Sequence, residues 1–284
     1  MLPFWLSIAV LSLAQGALVA VPGTVALPPL LSAGGRFWAV IPPLSVVGFV
    51  LITTAAQRAS SQGLTYLALI AVPPLAALAL GVFSRGSRPV LAWIVLPLFL
   101  LAWADRGGLA GNTAALVLSA LSCVTLGVLL AALTPAIWLG VGIVAMAMVD
   151  TALVVSDLLQ RPNNALNAAH PAVGLPRLQS EVFGSAVMGY GDVFIAAVLG
   201  ALLAASMGRG AQRLGAALTA VLALAFDLLF FFVDELPATV PVALAMIVVV
   251  VLRRRSERRG ESTRRAPRPD APRGVPPGSA RAAR

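Results

Sequence analysis

Two aspartates sit in stretches that are otherwise apolar enough to cross a bilayer: Asp150 in Pro135 to Leu159, and Asp192 in Val182 to Met207. A carboxylate at mid-membrane costs about 2.5–3.5 kcal/mol on insertion scales, so each needs a reason to be there. Asp150 lies nine residues before the end of its segment and Asp192 ten residues after the start of the next. If both segments are helical and antiparallel, a rise of 1.5 Å per residue puts both carboxylates about 13–15 Å below the same surface. Two carboxylates in contact cannot both ionise easily, so the pair shares one proton and holds one base and one acid. The base takes a proton from an attacking water, and the acid protonates the carbonyl oxygen of the bond being broken. This is peptide hydrolysis without a metal, and no metal or cofactor is expected. The chain has a single cysteine, Cys123, and a single histidine, His170.

The residues around the pair fit this chemistry. Gly189 and Gly191 flank Tyr190 immediately before Asp192, and their missing side chains let a substrate backbone or a partner helix come close. Gly189, Tyr190 and Gly191 are therefore candidate substrate contacts. Pro237 and Pro241 bracket Ala238-Thr239-Val240 at the start of the last apolar segment, leaving backbone groups open to a bound strand. Asp157 follows Asp150 by seven residues on the same helical face, but near the water interface beside Arg161. It reads as a solvated acid. Asp227 has no partner at its own depth, and His170 in the long connection Gln160 to Glu181 reads as solvated.

The elements that must position these residues are membrane helices. The chain is 59% hydrophobic and 11% charged, with mean hydropathy +0.93, which excludes a soluble domain. Runs of suitable length predict nine spans: Leu2 to Val21, Phe37 to Ala56, Leu64 to Phe83, Pro89 to Trp103, Thr113 to Leu133, Pro135 to Leu159, Val182 to Met207, Arg213 to Phe232, and Pro237 to Leu252. The fold class is an all-α polytopic membrane protein. Residues 1–134 form an N-terminal five-helix bundle, residues 135–252 a catalytic four-helix region, and residues 253–284 a disordered Arg/Pro-rich tail.

With the N-terminus outside, sixteen arginines fall on the cytoplasmic side and four on the outer side, eleven of the sixteen in the tail. The positive-inside rule then gives a multi-pass cell-membrane protein with a cytoplasmic C-terminus. The tail is expected to rest on anionic lipid. It lacks the aromatic interleaving or folded module of a specific nucleic-acid binder.

An aspartate in the sixth span, Met188-Gly189-Tyr190-Gly191-Asp192-Val193-Phe194-Ile195 in the seventh, Pro237-Ala238-Thr239 opening the ninth, and nine spans in all resemble the presenilin and signal peptide peptidase family of intramembrane aspartyl proteases. The resemblance covers mainly residues 135–252. It implies a presenilin-like fold, an Asp150/Asp192 dyad, substrate contacts at Pro237, Ala238 and Thr239, and transmembrane helical peptides as substrates. It also implies that a substrate segment adds as a strand near Ala172 to Phe183. Val149 stands where the family has tyrosine, and Thr239 where it has leucine. The orientation is similar to that of the signal peptide peptidase branch, which implies type II substrates. Two other readings remain. One is a proton-coupled transporter with a relay of buried aspartates. The other is a prepilin-peptidase-like GxGD protease, against which stand the absent cysteine cluster and Phe194 in place of lysine.

Overall fold

In the computed structural model, which describes residues 3–25, 35, 37–55, 57–158, 160–169, 172, 174–233 and 235–265, a helix forms in each of the nine apolar segments. These are α1 (Phe4–Val19), α2 (Ile41–Ala55), α3 (Gln57–Leu78), α4 (Val95–Ala104), α5 (Leu109–Leu133), α6 (Ala136–Val155), α8 (Tyr190–Ser206), α9 (Gly208–Asp227) and α10 (Val240–Arg265). A shorter helix, α7 (Gln160–Ala168), lies in the connection after α6. Among the described residues, four helices are long and apolar enough to cross a membrane: Ser61–Phe83, Leu109–Leu133, Ala136–Val155 and Gly208–Phe231. Phe4–Val19, Pro89–Ala104 and Tyr190–Ser206 are apolar but shorter.

The turn between α5 and α6 falls at Thr134-Pro135, where proline ends one helix and starts the next without leaving an orphaned donor. The start of the seventh segment differs from the sequence expectation. Residues expected to be helical form a hairpin instead, β1 (Ser180–Phe183) paired antiparallel with β2 (Ala186–Gly189). Phe183 faces Ala186 across a loop of Gly184 and Ser185, and Gly184 has φ +59°. A glycine able to take that conformation first in a two-residue loop is a hairpin signal, and it outweighs the apolar composition of the segment. Asp192 consequently stands in the first turn of α8 instead of ten residues along a helix. The connection from Gln160 to Glu181 is likewise more than a plain loop, since it contains α7 and the start of β1. His170 lies outside the described residues.

Met1–Val249 forms one compact unit. Within it α5 packs on α8 and α1 packs on α9. At the centre is α8, with every residue from Ile195 to Ala204 buried, as expected of a helix apolar all round. Close approach to α8 depends on two glycines. A Cβ on Gly127 of α5 would lie 2.8 Å from the Ala197 carbonyl carbon, and one on Gly200 of α8 would lie 2.9 Å from that of Val19. Both obstacles are backbone, so a side chain there forces helices apart. Gly200→Val is expected to destabilise by about 3 kcal/mol or more and to lower the thermal unfolding midpoint in detergent. Gly210→Ala, with no heavy atom within 4 Å of the added carbon, should leave the midpoint unchanged.

Val250–Arg284 forms the second unit. Within it, α10 runs on to Arg265, with Arg253 and Glu257 paired at 3.0 Å one helical turn apart. The predicted tail therefore begins as helix where it is described; residues 266–284 lie outside the described residues.

Candidate active site

Asp150 occupies the last two turns of α6 and is buried, 8% exposed. Its Oδ2 accepts a hydrogen bond from Thr239 Oγ1 at 2.6 Å. Asp192 is partly buried in the first turn of α8, and its Oδ2 accepts the Gly189 backbone N–H at 3.2 Å. The same bond closes the start of the helix, where a carboxylate satisfies an orphaned amide and meets the positive end of the dipole. Both aspartates line one cavity of about 880 Å³.

Three further connections fix the site. Gln15 of α1, fully buried, donates from Nε2 to the backbone oxygens of Asp192 at 3.1 Å and Ala238 at 3.0 Å. One amide thus clips the Pro237-Ala238-Thr239 segment to the start of α8. Tyr190 is hydrogen-bonded through its hydroxyl to Ser122 Oγ of α5 at 2.7 Å. Asp227, which had no partner in the sequence reading, accepts a hydrogen bond from Ser12 Oγ of α1 at 2.7 Å and lines the same cavity. Ser12 and Gln15 are three apart on α1 and so share a face. Their signal in the sequence was polarity within an apolar helix, a signal as general as it was for Asp227.

Gly189, Tyr190, Gly191 and Ala238 line the cavity. Pro237 and Thr239 are buried beside it. The backbone oxygens of this segment are engaged: Pro237 O accepts from Val240 N, Ala238 O from Gln15, and Thr239 O from Ala243 N. The segment thus holds Asp150 and α1 in place, where the sequence suggested open groups. Thr239→Val keeps the shape but removes the donor to a buried carboxylate. It should cost about 1.5–3 kcal/mol, read as a lower unfolding midpoint, and Thr239→Ser should restore most of the loss.

Comparison of the chain with protein-family models, curated proteins and solved structures finds no match.

Asp157 follows the end of α6, exposed and in a left-handed conformation at φ 55°. Its charge reaches Glu235, whose carboxyl is held above its ordinary value by burial first and by Asp157 second. Glu235 also lines the cavity. Among the described residues no group of three or more metal-ligating side chains occurs.

Glu181, at the end of the connection from Gln160, is a further acid near the site. It is fully buried on β1 opposite Met188, and neither carboxylate oxygen bonds to another residue among those described. Burial, with the Asp192 charge adding to it, pushes its carboxyl up to about 8. No alternation on β1 marked it, since Ser180 and Glu181 are both buried there, where β1 lies against α5 and α1.

Proposed function

We propose that this chain is an intramembrane aspartyl endopeptidase that hydrolyses peptide bonds in transmembrane or signal-peptide-like helices. The observation that carries this reading is the pair Asp150 and Asp192, on α6 and α8, lining one cavity. Support comes also from the resemblance of Met188 to Ile195 and of Pro237-Ala238-Thr239 to the presenilin and signal peptide peptidase family. In this reading the chain crosses the cell membrane nine times, N-terminus outside, with the shorter helices spanning by means of the turns that extend them.

The mechanism follows from the site. Thr239 holds one oxygen of Asp150, leaving the other to a water. The ionised aspartate removes a proton from that water as its oxygen attacks the scissile carbonyl, and the protonated aspartate gives its proton to the carbonyl oxygen. Reversal of these roles collapses the tetrahedral intermediate and protonates the leaving amine. The substrate helix must unwind first, because its own hydrogen bonds shield the peptide bond. An extended segment could then pair along β2, whose residues line the cavity.

The test is cleavage of a transmembrane reporter peptide by purified protein, with and without an aspartyl transition-state analogue. Wild type and Asp157→Asn should cleave, while Asp150→Ala and Asp192→Ala should not. Cleavage surviving either alanine substitution would sink the dyad.

A second reading, a proton-coupled carrier, is favoured by one observation: Asp150, Asp192, Asp227 and Glu235 all line the same cavity. Proton flux in reconstituted vesicles that depends on Asp227, without any peptide cleavage, would select it.

A further inference from the structure

A second pocket, of about 380 Å³, lies between the chain that follows α1, the turn after α3 and the start of α9. Gly23 donates to the Phe83 carbonyl at 2.8 Å and Arg85 N–H to that of Val21 at 2.9 Å, which fixes the first two of these walls together. Arg85 and Arg209 line the pocket, and the charge of Arg213 reaches Arg85 as well. Among the described residues no carboxylate pairs with these arginines; Arg85 instead donates to the neutral Gln212 Oε1. Burial first, then the like charges of Arg209 and Arg213, hold Arg85 below its ordinary value. Like charges gathered without a counter-ion favour an anion between them.

A further feature faces the same space. The 20-residue helix α9 begins there at Gly208, and its N-cap residue Met207 supplies no side-chain cap. The first N–H groups of a helix lack intrahelical partners, and together with the dipole they favour an oxyanion.

We propose that this pocket binds a phosphate-bearing anion, held by Arg85 and Arg209 and by hydrogen bonds from the first amides of α9. On the orientation that the arginines predict, it opens at the cytoplasmic surface, at the level of anionic lipid headgroups. The phosphate therefore belongs either to such a headgroup or to a small soluble phosphate. This inference is independent of the peptidase reading and its test involves no cleavage.

The full-length protein in detergent is titrated with phosphatidylglycerol, and bound lipid is counted by native mass spectrometry. In parallel, inorganic phosphate is scored by the shift in unfolding midpoint. Arg209→Gln, at an exposed position, should weaken retention by about tenfold, the loss of a charge-assisted bond. Arg88→Gln, also on the cytoplasmic side but outside the pocket, should retain lipid like wild type. Arg209-dependent binding of the lipid alone assigns the headgroup, and an Arg209-dependent midpoint shift with inorganic phosphate assigns the soluble source. Equal behaviour of Arg209→Gln and Arg88→Gln with both probes would overturn the proposal. Because Arg85→Gln also removes the bond to Gln212, a fold defect in that variant does not decide the matter and Arg209→Gln carries the test.

Discussion

Asp192→Asn should reduce cleavage of a transmembrane reporter by about 10²-fold or more, the range expected when a positioned acid or base is lost, while the unfolding midpoint stays close to that of wild type. The amide keeps an oxygen for the Gly189 N–H, and the backbone bond from Gln15 to residue 192 does not involve the side chain. The start of α8 therefore survives the change, and loss of activity cannot be traced to loss of fold. Asp150→Asn should have a similar effect on rate, since asparagine can still accept from Thr239 Oγ1. On the proposed mechanism the double variant should be no worse than either single one, because two groups sharing a proton would act as a unit. Turnover that falls additively, or survives in either variant, would count against shared general acid–base chemistry.

Glu181→Gln should stabilise the protein near neutral pH. The carboxyl stands at about 8 in the folded protein against 4.5 ordinarily. Between these values the unfolded chain gives up its proton while the folded protein keeps it, so the unfolded state binds fewer protons and stability falls as pH rises. Below about pH 4.5 the effect is absent, and above about 8 it levels off. At about 1.4 kcal/mol per pH unit, wild type should trail Glu181→Gln by about 3 kcal/mol at pH 7. Unfolding midpoints of both proteins from pH 4 to 9 measure this directly: the difference should open through that window. Parallel curves would mean that Glu181 reaches water or a partner.

The sequence made the helices legible because a bilayer-length apolar run admits little else. Each of the nine segments does contain a helix, and the α5–α6 turn sits on its proline. It also singled out Asp150 and Asp192, since a carboxylate in such a run is costly enough to stand out. Asp192 does not lie ten residues along a helix from residue 182, because Gly184-Ser185 closes a hairpin and α8 begins at Tyr190. The pair nevertheless lines one cavity, because α6 and α8 are packed directly together.

What the sequence determined by itself was composition, helix placement and the identity of the unusual acids, all of which follow from local transfer energies. Only the tertiary structure decided who holds them: Thr239 on Asp150, Gln15 between Asp192 and Ala238, Ser12 on Asp227, and Glu181 buried without a partner among the described residues. These contacts join residues far apart in the chain. No local energy term encodes them, and they arise from the way α1, α8 and the Pro237 segment pack around a shared space.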